Sequence, residues 1–180
     1  MTGDVLDPGC GSGWHAIEYA RHGCTVTGYE LAPTAINRAR MNAKRSGVSV
    51  TVAQCDVTTM SDGGQRFDTV VDSKCYDNLR PDQRPAYATE LHQVTRPGAR
   101  LYLFAFGPGE VNGYHNHDVS DVVDVRTVLP ECGWRISYIG TTMYQLRTDY
   151  WQPHCSQCPP VVRGDRLAIP MIEVHADRVG

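Results

Sequence analysis

Residues 4–16 read DVLDPGCGSGWHA. A short apolar run, Asp4–Leu6, meets Asp7-Pro8, and a turn of alternating glycines follows at Gly9, Gly11 and Gly13. Trp14–Arg21 then reads as a helix with Ile17 and Ala20 on one face and Gly23 as its stop. Strand, glycine turn and helix in that order form the opening of a βαβ unit, and the rest of the chain continues the alternation. Cys24–Tyr29 is a second strand ending in Glu30. Pro33 suits a first helical position, and Ala35, Ile36, Ala39 and Ala43 form a stripe closed by Gly47. Val48, Val50 and Val52 alternate toward Gln54–Asp56, and Phe67–Val71 ends in Asp72. The spacing predicts a helix over 81–94, with Arg96-Pro97-Gly98 as its break. Leu101–Phe106 is apolar on both faces, as in a central strand. A helix from Ser120 or Asp121 to about Glu131 and late strands at 134–140 and 167–175 complete the pattern, with an irregular stretch over 147–164. Strands alternating with helices imply an α/β domain with a parallel sheet.

The chain has 180 residues and a net charge of −3. That length fits one domain with its own core, residues 1–180. A mildly acidic chain lacks the basic surface that nucleic acid binding needs. No apolar run approaches a membrane span of about 18 residues, and no signal peptide is visible, so a cytoplasmic protein is expected. The seven cysteines are odd in number and sit mostly in apolar stretches, as reduced thiols do. His154, Cys155 and Cys158 form a single Cys-x-x-Cys group. A closed zinc site needs four ligands, so His115, His117 or His175 would have to come in from elsewhere, and the second Cys-x-x-Cys that would make the signal strong is missing; no metal is expected.

The loop carries its own chemical preference. A dinucleotide fingerprint, G-x-G-x-x-G, offers backbone amides to a pyrophosphate at a helix N-terminus. Here the spacing is D-x-G-x-G-x-G, led by Asp7. A carboxylate repels a pyrophosphate and attracts an ammonium group, so S-adenosyl-L-methionine is favoured over NAD. Glu30 ends the second strand at the place to accept both ribose hydroxyls, and Asp56 ends the third, within reach of an adenine amino group. Cys10, Leu31 and Val57 neighbour these acids and could line the adenosine slot.

With those residues in view, the chain resembles the class I S-adenosylmethionine-dependent methyltransferases. The segments VLDPGCGSG (5–13), GYELAPTAINRAR (28–40), QCDV (54–57), FDTVVDS (67–73) and RPGARLYLFAF (96–106) come in that family's order. The Pro-Gly-Cys-Gly wording looks like the small-molecule branch that includes thiopurine and halide methyltransferases. The resemblance implies a Rossmann-like, doubly wound, mostly parallel sheet of seven strands whose last strand is antiparallel. It implies that Asp7 and Gly9, Gly11 and Gly13 face the methionine part, Glu30 the ribose, Asp56 the adenine, and the stretch from Ser73 the cofactor's edge. Family members usually carry helices before the first strand that close over the cofactor, and this cap is not expected within residues 1–180.

The acceptor side should come from loops after the fourth and fifth strands, Ser73–Asp77 and YHNHD (114–118). His115 and His117 are the candidate bases. The paired-proline signature of amino-group methylation is absent after Asp72, where DSKCYDN stands. A small phenolic, heterocyclic or thiol acceptor is therefore expected. A non-catalytic binder of the same cofactor and a NAD-dependent oxidoreductase are the competing readings.

Overall fold

A computed structural model describes residues 3–106, 110–111, 114–115, 122–147, 162–163 and 166–180. Seven principal strands lie in one sheet: β1 Asp4–Pro8, β2 Thr25–Glu30, β3 Thr51–Gln54, β4 Phe67–Ser73, β5 Thr95–Phe106, β6 Trp134–Arg147 and β7 Arg166–Arg178. Four helices connect them: α1 Trp14–Arg21, α2 Pro33–Arg45, α3 Arg84–Gln93 and α4 Val122–Glu131. The strand order is β3-β2-β1-β4-β5-β7-β6. β1 to β5 pair in parallel, while β7 runs antiparallel to both β5 and β6. The expected mixed seven-stranded sheet is thus observed, with the last strand antiparallel. Val162–Arg163 adds a two-residue pairing to the start of β7, and Glu110–Val111 pairs with Tyr114–His115.

Side-chain alternation divides the core in two. Leu6, Val70, Leu101 and Leu103 point to the face covered by α3 and α4, where they join Tyr87, Leu91, Leu129 and Trp134. Val5 and Val71 point the other way and meet Ala16 of α1. Ile36 and Ala39 of α2 pack on Val52 of β3. Leu6, Val70, Leu101 and Leu103 are fully buried, which explains their continuous apolar wording.

Several elements differ from the sequence reading, among them β3, which begins at Thr51 and not at Val48. The helix expected over 81–94 is a short 3-10 turn, Pro81–Gln83, followed by α3. Pro85 sits at the start of α3, where a missing N–H costs nothing. β5 begins at Thr95, not Leu101. Its register to β4 jumps from Phe67↔Thr95 to Thr69↔Arg100, so Pro97-Gly98 forms an irregularity inside a strand rather than a break before it. β6 and β7 run to 147 and from 166 as a long two-stranded ribbon. Thr141, Thr142, Gln145 and Arg147 hide the extension of β6 in the sequence.

α3 and α4 are joined by an ion pair buried on its Arg84 side and partly exposed at Asp124. The Arg84 side chain is 4% exposed, and its guanidinium donates to Asp124 at 3.1 Å. The Tyr76 hydroxyl donates to the same oxygen at 2.9 Å. Arg84→Met strips Asp124, which is partly exposed and keeps the Tyr76 hydroxyl, of its countercharge and should destabilise the fold by about 1–3 kcal/mol, read from urea denaturation.

Candidate functional site

The parallel strands β1 to β5 end at one edge of the sheet, and the strand order reverses between β1 and β4. Ligands of such sheets bind at that switch point. Asp56, Glu30, Asp7 and Asp72 fall at or just past the ends of β3, β2, β1 and β4, so four neighbouring strands each bring an acid to this edge.

The glycine loop crosses above them. Gly9 has φ +65°, and a Cβ there would stand 2.9 Å from the Cys75 sulfur. Gly13 has φ +82°, and a Cβ there would stand 3.0 Å from the Ala39 Cβ. Both the backbone conformation and the close approach of α1 to α2 require glycine at 13. Three of the loop's amides are already engaged. Gly11 N–H donates to Glu30 Oε2 at 2.9 Å, Gly13 N–H to the Cys10 carbonyl, and Cys10 N–H to the Tyr29 carbonyl. Glu30 Oε1 accepts from Leu31 and Ala32 N–H at 2.8 and 2.9 Å. Glu30 therefore holds the loop against the end of β2.

Asp7 is 2% exposed and lies on the α1 side of the sheet. Burial, followed by the charge of Asp72, pushes its pKa up to about 8, against a lowering hydrogen bond from the Ala16 N–H in the first turn of α1. Its Oδ2 has no hydrogen-bond partner among the described residues. Asp72 points to the opposite face. It accepts from Cys75 N–H at 2.7 Å, Tyr76 N–H at 3.1 Å and the Tyr87 hydroxyl at 2.7 Å. Burial raises its pKa to about 7.

The other sequence candidates are distributed as follows. Asp56 is exposed, and its carboxylate accepts from the Thr58 N–H and hydroxyl at 2.9 and 2.7 Å, which lower its pKa. Leu31 is 61% exposed beside Glu30. Cys10 is half-buried against Gly28, and burial pushes its thiol up to about 12. Val57 belongs to the main core with Tyr29 and Met60. Ser73, at the end of β4, lines a cavity with His15, Phe104 and Tyr144. His115 lies in a described short strand, but its side chain is outside the described residues, as are His117, His154, Cys155 and Cys158. No group of three His, Cys, Asp or Glu side chains suited to a metal occurs among the described residues. No helix among them is long and apolar enough to cross a membrane.

Sequence reasoning missed Asp72 and His15 as site residues. Asp72 carries the same signal as Glu30, an acid at a strand end. His15 is the second residue of α1, directly after the glycine loop, and so faces the ligand edge.

Comparison with known proteins adds the family. Residues 5–98 match the model described as a methyltransferase domain. A curated relative, the 2-heptyl-1-hydroxyquinolin-4(1H)-one methyltransferase of Mycobacteroides abscessus, is 32% identical over 120 residues. That match covers 64% of this chain and 53% of the relative, so the chain spans about half the length of that protein. A solved structure concerned with conversion of a disulfide bond into a thioacetal group during echinomycin biosynthesis superposes with a TM-score of 0.79 at 27% identity, covering 98% of this chain and 76% of that one. The magnesium protoporphyrin IX methyltransferase of Synechocystis PCC 6803, solved with bound S-adenosylmethionine, shares the fold with a TM-score of 0.68 at 20% identity, covering 97% and 69%.

Proposed function

The chain belongs to the methyltransferase-domain family, and from that premise we propose that it binds S-adenosyl-L-methionine at the β2-β1-β4 edge and transfers its methyl group to a small-molecule acceptor. The observation that carries this reading is the unpartnered, buried Asp7 oxygen beneath a loop whose Cys10, Gly11 and Gly13 amides are already engaged. A pyrophosphate would find no free amide at Gly11 or Gly13, and the Ala16 N–H in the first turn of α1 is directed at Asp7. An ammonium group finds an acceptor there. The residues present therefore fit a cationic adenosine cofactor and disfavour NAD.

In this reading Asp7 pairs with the ammonium group, Glu30 accepts the ribose hydroxyls, and Asp56 accepts the adenine amino group. Leu31, Cys10 and Val57 surround the adenosine, and Gly9, Gly11 and Gly13 let the backbone approach closely. Ser73 stands toward the methyl end. In the same reading His115 and His117, which follow β5 in sequence, are candidate bases toward the acceptor.

When bound, the sulfonium supplies an already activated methyl group. The protein's share is to align an acceptor with it and exclude water, which is worth roughly 7–11 kcal/mol of barrier. Where the acceptor keeps a proton, a side-chain base adds to this. The M. abscessus relative is named for a hydroxylated heteroaromatic compound. Hydroxyquinolines, phenols and thiols are accordingly the first acceptors to try. Placement in the thiopurine and halide branch rests on the wording of Pro8–Gly11, and turnover of thiols ahead of phenols would support it. The acidic net charge supports a small acceptor rather than nucleic acid and agrees with a cytoplasmic setting.

Thermal shift tests the cofactor assignment. S-adenosylhomocysteine at about 100 times its Kd should stabilise the fold by about 2.7 kcal/mol, a rise of several degrees, while NAD at the same concentration should do nothing. Stabilisation by NAD alone would overturn it. Stabilisation by S-adenosylhomocysteine without turnover of any acceptor would favour the non-catalytic binder.

A further inference from the structure

A cavity of about 200 Å³ opens between α1, the ends of β4 and β5, and the β6–β7 ribbon. His15 and Tyr19 line it from α1, Ser73 and Phe104 from the strand ends, and Tyr144 and Met171 from the ribbon. Three of these are aromatic rings on different walls. A cavity of about 150 Å³ admits benzene, so this one suits a single substituted ring. It adjoins the proposed cofactor site, because His15 follows the glycine loop and Ser73 ends β4 beside β1.

The residue after Ser73 is held in a costly conformation. Lys74 has φ +71°, the one described non-glycine residue in the left-handed region. Such a conformation costs about 1–3 kcal/mol and persists only where the surroundings enforce it. Here they do: Lys74 N–H donates to the Phe104 carbonyl at 2.8 Å, its carbonyl accepts from Asn78, and Asp72 fixes the next two amides. The Lys74 ammonium stands 5.3 Å from the Phe106 ring centroid and 5.0 Å from that of Tyr144, which lines the cavity, so the charge lies behind that wall and within one ring of the cavity. No ion pair joins it to a carboxylate among the described residues. The charged or titratable groups that share its surroundings are His15, on α1, and Asp77, whose carboxylate accepts the Phe106 N–H at 2.8 Å.

We propose that this cavity takes the methyl acceptor, a single-ring aromatic compound bearing an ionisable hydroxyl or thiol, with Lys74 holding its anion and His15 receiving its proton. This rests on the methyltransferase reading above and names the acceptor side of that site. The acceptor's O–H or S–H bond breaks, and its proton passes to the His15 imidazole and then to water. The electron pair left on oxygen or sulfur forms the bond to the methyl carbon. The pair of the broken carbon–sulfonium bond returns to that sulfur, leaving a neutral thioether. Partial desolvation, then the Lys74 charge, hold the His15 pKa below the usual imidazole value. His15 is therefore neutral near pH ~7, as a proton acceptor must be.

The test uses the 180-residue chain saturated with S-adenosylhomocysteine and titrated with 4-nitrophenol, whose anion alone is coloured. The bound probe should ionise at lower pH than the free probe. Lys74→Met should weaken anion binding about tenfold and reverse that displacement by about one pH unit. His15→Asn should leave anion binding intact and slow methylation of weakly acidic phenol about 10²-fold more than that of 4-nitrophenol. S-adenosylhomocysteine affinity should stay unchanged in both variants. Protein that binds S-adenosylhomocysteine but not 4-nitrophenolate, or binds the anion equally after Lys74→Met, overturns the proposal. Variants that lose S-adenosylhomocysteine while keeping the anion assign the cavity to the cofactor instead and also overturn it. Failure of the unaltered chain to bind S-adenosylhomocysteine defeats the methyltransferase reading itself, and the cavity's role with it.

Discussion

Glu30→Ala is expected to weaken S-adenosylhomocysteine binding at least about 100-fold while leaving the fold in place. Two effects add. Each hydrogen bond from a ribose hydroxyl to a carboxylate is worth about 1.5–3 kcal/mol, and the proposed site has two. The same carboxylate also holds the loop, accepting Gly11, Leu31 and Ala32 N–H at 2.9, 2.8 and 2.9 Å. Truncation therefore releases the loop that must lie over the cofactor, so part of its binding free energy is lost in re-ordering it. The freed amides at Leu31 and Ala32 lie at the surface and regain water, so the thermal midpoint should fall by only a few degrees. Glu30→Gln separates the two effects. Its amide oxygen can still accept two of the three N–H groups, but its NH2 faces a donor, so affinity should fall less than in the alanine variant. Calorimetry with S-adenosylhomocysteine, paired with circular dichroism, reads both. Unchanged affinity in Glu30→Ala would remove the ribose assignment.

Glu30 was legible in the sequence because its position follows from local pattern alone: a strand of consecutively buried residues, then an acid, then the proline that opens a helix. Asp7 and the glycine turn were legible for the same reason. Asp72 had the same local pattern and was still missed, because its importance is tertiary. It is buried by Tyr87, fifteen residues on, and its acceptors are spent on the turn that carries Lys74. Nothing in Ser73-Lys74-Cys75 announces a left-handed lysine, since any reading by propensity would reserve that conformation for glycine or asparagine. The cavity lined by His15 and Tyr144 joins residues 129 positions apart through the β6–β7 ribbon, whose length depends on pairing with a strand read as ending earlier. Local patterning thus reaches the cofactor side of the site, while its acceptor side depends on contacts distant in sequence.

Asp7→Asn should move stability and binding in opposite directions. The Asp7 carboxyl titrates at about 8 in the fold, raised by burial and then by Asp72, against 3.8 for an ordinary carboxyl. The fold therefore binds this proton more tightly than the unfolded chain does. Its stabilising contribution is complete below pH 3.8 and is lost as pH climbs through about 8. Asp72, raised to about 7 by burial, has the same sign. Asparagine cannot ionise, still fits beneath the loop, and relieves Asp72 of its neighbour's charge. The empty variant should melt at least about 5 °C higher than the unaltered chain at pH ~8, with the difference vanishing toward pH ~4. Binding runs the other way. The cofactor's ammonium pairs only with the ionised carboxylate, so its binding to the unaltered chain should release a proton near neutrality and weaken as pH falls. Asp7→Asn should cost about 100-fold in S-adenosylhomocysteine affinity, in keeping with a charge-assisted bond of about 1.5–3 kcal/mol in a buried site. 5′-Methylthioadenosine, which lacks the amino acid, supplies the control: its affinity should respond neither to the substitution nor to this titration. A variant that melts lower at pH ~8 would mean that the carboxylate is satisfied in the empty fold. Equal losses for both ligands would place the effect in the loop, not in an ammonium contact.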